Sequence, residues 1–440
     1  MIMAELHRAV WIASALVVLS RPAFAQETRA PTGTLQLAAL QADAVRRDPR
    51  GREIDLLAAQ TALRLKSIDS EMLPSLGVNG QAQYQSTVAS IPFMLPGVSV
   101  PTPPRDTYDA HVAARQRLFD PSLSGRRGVE RAQLAESQAR VRASLYTLRQ
   151  SVNDAFFMAL QLQSQRAEVQ TVIGDLEAQL KVAAQRVTEG VALPSETTII
   201  EAELLRRRQS VAELTMNRDA ALAILSDLTG RTISTTAQLV LPEPSGDLAR
   251  ARFSLDSVRE RPEYEQFARA RDVLREQRSA ASARELPRIS AFGRAGYGRP
   301  GLNPLASKFD TYWLAGVQFE WTPWTWGSTN RDREVLSLQQ QIVESEEAAF
   351  TASVRRSIVR DMATIDRMIL ALEEDDAIIA LREEVMREAR VRFGEGVITS
   401  AEYVDRQTDA LAARIARSSH RIELEQARAR FQTSLGLGVR

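Results

Sequence analysis

The 440-residue chain offers little with which to make or break bonds. Cysteine is absent, and the only histidines are His7, His111 and His420, with no paired-histidine metal motif among them. No Gly-rich phosphate loop or nucleophile elbow occurs, so neither catalysis nor a metal or other cofactor is expected. The acidic side chains are more suggestive. Glu402 and Asp405 stand three apart, hence on one face of a helix, just after a glycine turn. Glu196 holds the matching place after an earlier turn, where Ile199 replaces the second acid. Carboxylates gathered at a narrow point would repel one another and attract cations, whereas an acidic pair on a lone helix is ordinarily a solvated face.

The elements that carry these residues occur twice. Arg186-Val-Thr-Glu-Gly-Val-Ala-Leu-Pro-Ser195 returns as Arg392-Phe-Gly-Glu-Gly-Val-Ile-Thr-Ser-Ala401. Leu73 to Tyr84 answers to Leu286 to Tyr297, and Tyr108 to Phe119 answers to Tyr312 to Trp324. A repeat of roughly 205 residues is far longer than a solenoid unit and implies a duplicated structural module. The first repeat is read as 26–245 and the second as 246–440.

Residues 1–25 read as a secretion signal. His7 and Arg8 precede an apolar stretch from Ala9 to Leu19, and Ala23-Phe24-Ala25 gives a cleavage pattern. The stretch is too short for a bilayer-spanning helix. Without cysteine the chain has neither disulfides nor a thiol for an N-terminal lipid anchor. The net charge of +1, with Arg206-Arg207-Arg208 as the one basic run, gives no footing for nucleic acid.

Each repeat opens with helical spacing and then changes to a period of two. Leu35 to Met72 is read as helix interrupted near Asp48-Pro49-Arg50-Gly51, and a helix over about 255–284 opens the second repeat. Strands are expected over about 75–86, 107–119, 287–298 and 310–322, with a proline-rich loop from Ile91 to Arg105 between the first two. Leu76, Val78, Ala82 and Tyr84 share one face and Asn79, Gln81 and Gln83 the other. Tyr84, Tyr108, Tyr297, Trp313, Trp321 and Trp324 lie toward the strand ends, as an aromatic girdle at a membrane surface would. An amphipathic hairpin covering a soluble core would show the same alternation.

Long helices follow. No proline occurs between Ser122 and Thr188, nor any proline or glycine from Ser328 to Phe393, so each run, the first read as helix over about 121–188, can form one helix on the order of 100 Å long. Turns at 189–195 and 394–400 lead into second helices over about 195–228 and 400–435. Glycine lets the chain leave a helix with positive φ, and Pro194, Ser195, Thr399 and Ser400 suit the first turn of the next. Four strands cannot close a barrel, and an open edge in lipid leaves backbone groups unpaired; three chains would pool twelve.

In this order, twice over, Leu73-Pro74 and Leu286-Pro287, Leu118-Phe119-Asp120 and Pro323-Trp324-Thr325-Trp326-Gly327, and the two Gly-Val turns resemble the TolC-like outer-membrane efflux proteins across essentially the whole mature chain. The resemblance implies a mainly α fold with a β-barrel part: a homotrimer whose twelve-stranded outer-membrane barrel continues as a twelve-helix periplasmic tunnel. It implies passive conduction, with a periplasmic adaptor docking at the tips, Gly190, Val191, Leu193, Gly396, Val397 and Thr399, and an inner-membrane transporter supplying the energy. It also implies a periplasmic gate at Glu402 and Asp405, with Glu196 as the first repeat's counterpart. A periplasmic coiled-coil scaffold or adaptor without a pore is the competing expectation.

Overall fold

The computed structural model describes residues 34–89, 102–242 and 255–437. The segment read as a secretion signal and most of the proline-rich loop lie outside them. The chain is mainly helical. Helices α1 (Leu37–Arg47) and α2 (Gly51–Ser70) precede strands β2 (Ser75–Tyr84) and β3 (Asp106–Phe119). Helices α3 (Ser122–Thr188) and α4 (Pro194–Thr229) complete the first repeat. The second repeat runs α5 (Pro262–Ala283), β5 (Arg288–Arg299), β6 (Asp310–Glu320), α6 (Ser328–Gly394) and α7 (Ser400–Leu435). Two short parallel strands, β1 (Thr34–Leu35) and β4 (Gln238–Leu239), pair beside the helices.

Proline sets the breaks. Asp48, before Pro49, is extended at ψ 130° and separates α1 from α2. Arg261, before Pro262, is likewise extended at ψ 138°, so the stretch read as one helix over 255–284 becomes a 3-10 turn over 255–260 followed by α5. Without such breaks α3 and α6 each run 67 residues, about 100 Å. Toward one end α3 packs along α4, and toward the other along α5 and α2; α6 packs likewise on α7 and α5. Gln163 and Arg218 tie the connector after α4 back to the helices. Arg218, 1% exposed, donates to the carbonyls of Thr235 (2.7 Å) and Ala237.

The four long strands form one antiparallel sheet in the order β2-β3-β5-β6. Its register fixes two continuous faces, since directly paired residues point the same way. Val78, Val112, Ala295 and Trp313 make one row across all four strands, and Asn79, His111, Gly296 and Tyr312 make the next row on the opposite face. Among the described residues no helix is long and apolar enough to cross a membrane.

Candidate functional site

Both turns between long helices are built on the same local rules. In the first, Gly190 has φ 74°, and the amide of Val191 donates to the carbonyl of Arg186 at 3.0 Å. In the second, Gly396 has φ 80°, and the amide of Val397 donates to the carbonyl of Arg392 at 2.8 Å. Val191, Leu193 and Val397 are then left largely exposed at the ends of the hairpins. Pro194 stands in the first turn of α4.

The second turn is capped more fully, partly by the first. Thr399 and Glu402 exchange backbone bonds in a capping box, each at 3.2 Å. Glu196 reaches across and accepts from the amide of Ser400 at 2.5 Å. Arg186 reaches across in the same direction, donating to the carbonyl of Phe393 at 2.8 Å, with its guanidinium 5.7 Å from the Phe393 ring. A side chain at position 396 would push the end of that guanidinium aside, while the positive φ is what requires glycine there. Asp405 is exposed on α7 and forms no ion pair or side-chain hydrogen bond among the described residues.

Above the turns lies a joint among three helices. Asp175 of α3 accepts from the Tyr403 hydroxyl at 2.6 Å, from Arg390 at 2.6 Å and from the Gln407 amide. Tyr403 is fully buried and lies 5.1 Å from the Phe393 ring. Burial, reinforced by Asp175, pushes the Tyr403 hydroxyl well above its ordinary pKa, so it stays protonated and donates at any physiological pH.

At the far end of the molecule the sheet leaves its apolar face bare. Val78 is 83% exposed, Trp313 75% and Val317 67%. Toward the loop end Phe309 lies between Tyr108 (5.9 Å) and Tyr297 (5.4 Å), with Tyr84 exposed nearby on β2. Toward the helix end Trp321 donates to the Glu285 carbonyl at 3.0 Å, and Trp324 meets Trp326 edge to face at 5.9 Å. From Thr311 to Trp321 is about 34 Å along the strand, which at a tilt of about 40° spans about 25 Å, the height of a barrel's lipid band.

The model of the outer membrane efflux protein family matches residues 41–231. The chain carries an outer membrane efflux protein domain and has the TolC-like fold. Three solved structures illustrate the likeness. The channel CusC shares 16% identity with a TM-score of 0.67, covering 93% of this chain and 94% of that one. The Campylobacter jejuni outer membrane channel CmeC shares 14% identity with a TM-score of 0.65, covering 98% and 94%. The open state of the Neisseria gonorrhoeae outer membrane channel MtrE shares 18% identity with a TM-score of 0.65, covering 92% and 89%. No curated protein matches the sequence. Outer membrane efflux proteins are channels, not enzymes.

In this chain the tip residues Gly190, Val191, Leu193, Gly396, Val397 and Thr399 gather at one end, with Glu196 and Glu402 among them. Two of the three candidate gate acids are committed to helix amides. The Thr399-x-x-Glu402 spacing is itself a capping-box signal, whereas the reach of Glu196 to the other repeat leaves no trace in sequence. Asp175, Arg390 and Tyr403 were not singled out from sequence at all. They lie far apart along the chain, and only the register of three helices brings them together.

Proposed function

We propose that the protein is the outer-membrane channel of an export system, passively conducting substrates out of the cell. The carrying observation is the sheet. Its outer strands β2 and β6 each have an unpaired edge, and its apolar face has no cover in the protomer. In lipid both needs are met if three protomers join edge to edge into a twelve-stranded barrel, which leaves no backbone group unpaired. Apolar residues standing free on the long helices, such as Leu205 (65% exposed), Met216 (64%), Leu370 (64%) and Leu381 (65%), support the same association as a twelve-helix tunnel.

On this reading the secretion signal, cut near Ala25, exports the chain to the outer membrane. The tunnel hangs into the periplasm and the tips at Gly190, Leu193, Gly396 and Thr399 receive a periplasmic adaptor that links the channel to an inner-membrane transporter. Asp405, unpaired and beside the tip, is the acid best placed to line a threefold gate, with Glu402 adding charge while it caps α7 and Glu196 lying on the first repeat's side.

The test is physical. The mature protein should remain with outer membranes after salt and carbonate washing, run in detergent at three times the chain mass, and give discrete conductance steps in planar bilayers. Release by the washes as a water-soluble monomer would favour the scaffold reading instead. Glu402→Ala combined with Asp405→Ala should raise conductance and weaken block by divalent cations; unchanged conductance removes the gate assignment and leaves the pore.

A further inference from the structure

The second face of the sheet carries a hollow of about 880 Å³, whose lining includes Asn79, His111, Arg115, Arg294, Phe292 and Leu314. Its floor is lowered by small residues, Gly77 and Ala113, paired directly across β2 and β3. No carboxylate lines it. Arg115 and Arg294 are both exposed, stand on neighbouring strands two residues apart in register, and form no ion pair among the described residues.

The surrounding network keeps the nearest acid occupied. Asp109 accepts from the Tyr312 hydroxyl and lies 2.6 Å from His111 Nδ1. The other His111 nitrogen lies 3.4 Å from Asn79 Nδ2. Arg294 is set over the Tyr312 ring at 5.7 Å. This arrangement depends on a close approach: a side chain at position 296 would meet the His111 Cβ at 2.6 Å. Two guanidiniums, an imidazole and an amide therefore converge on a hollow whose walls are a phenyl ring and a leucine.

We propose that Arg115 and Arg294 form an anion-binding subsite inside the barrel, fitted to an organic anion with an apolar body, such as an aryl carboxylate or sulfonate. The inference rests on the pore reading, which turns this face inward. The forked N–H donors of the guanidiniums pair with two oxygens of the anion, while Phe292 and Leu314 take the apolar part. Three protomers would repeat the pair three times around one level. Twelve strands about 4.8 Å apart and tilted by about 40° enclose a backbone diameter of about 24 Å, so side chains narrow the lumen to about 15 Å. Such a ring of cationic side chains biases a pore toward anions.

The experiment uses the full-length channel in planar bilayers at about 10 mM KCl, where the screening length of about 30 Å exceeds the lumen width. A naphthalenesulfonate added to one side is the probe. R115Q/R294Q should weaken its block by about tenfold, the weight of two exposed charge contacts, and shift the reversal potential in a KCl gradient toward cation selectivity. R115K/R294K should keep the wild-type direction of selectivity. Single R115Q, at an exposed and unpaired side chain, reads a smaller shift of the same sign should the double variant not assemble. Conducting channels with unchanged block and reversal potential in the glutamine variants overturn the subsite and leave the pore reading intact. A wild-type protein that forms no channel overturns both.

Discussion

The two hairpins of the duplicated module share length and topology but are sealed differently. In the first, α3 and α4 meet through apolar side chains: Phe156 and Leu160 share a core with Leu222 and Leu225, and Val172 and Leu176 share another with Ile200 and Leu204. In the second, the apolar seam of α6 is broken. Ile358, Ile365 and Met368 belong to a core with Leu424 and Phe431, Met386 and Phe393 belong to another near the tip, and between Met368 and Met386 the only buried residue is Asp375. That gap is bridged by polar pairs: Asp375 with His420 at 2.6 Å, Asp376 with Arg417, Arg382 with Asp409 at 2.8 Å and Glu383 with Arg414 at 3.7 Å. Apart from the pair at buried Asp375 these contacts are exposed and hold two helices with little energy, so over this stretch the second hairpin is sealed more weakly than the first.

That contrast can be broken by mutation, and the largest effect belongs to the apolar seam. Phe156→Ala empties a fully buried site and should cost about 3–5 kcal/mol, read as a large fall in the thermal midpoint. A loss below about 1 kcal/mol would mean that the first hairpin is not held by this core.

Next comes the joint that ties α7 to α3. Tyr403→Phe removes the hydroxyl from Asp175 while keeping the ring against Phe393, and should cost about 1–2 kcal/mol. It should also raise channel conductance in bilayers, because the second hairpin loses its fastening to the first. Destabilisation without any change in conductance would make the joint purely structural.

The two halves should also answer acid in opposite senses. Burial raises the pKa values of Asp361 on α6 and Glu425 on α7 above their ordinary carboxylate values. The native state therefore binds these protons more tightly, and their contribution is full below those values and lost as pH rises through the folded-state pKa. Asp48 in the first repeat is shifted down by its hydrogen bond to Arg50, so its contribution is present at neutral pH and is lost on acidification. Asp361→Asn should accordingly raise the thermal midpoint at pH 7 and leave it little changed at pH 3, whereas Asp48→Asn should lower it at pH 7. Matching responses from the two variants would contradict the assignment.

The smallest effect is expected from the ladder itself. Arg382→Gln should cost roughly 0.2–1 kcal/mol and less in high salt. A larger, salt-insensitive loss would show that the polar stretch is not the weak seam described here.

Much of the architecture could be read locally. The strand faces were legible because alternation at Leu76, Val78 and Ala82 is a property of neighbours, and the duplicated order did the rest. The long helices followed from where proline is missing. Breaks near Asp48 and Arg261 obey one rule, since the residue before proline leaves the helical region, yet only the first was read, because no glycine follows Pro262 to reinforce it. The tips were legible as turns but not as partners. Glycine marks where a helix ends, whereas Glu196 and Arg186 choose their targets only after two repeats have been laid side by side. The hollow at Arg115 and Arg294 was hidden for a related reason: alternation says that both face water, but only the register puts them next to each other.

The capping of the second turn by the first has a mechanical result. The first hairpin holds the backbone of the second at both helix ends, Arg186 at one and Glu196 at the next, so the paired ends behave as one stiff foot. Anything that grasps a single turn drags both, and the strain travels upward until it reaches a stretch soft enough to give, which is the part of the second hairpin where Asp375 meets His420.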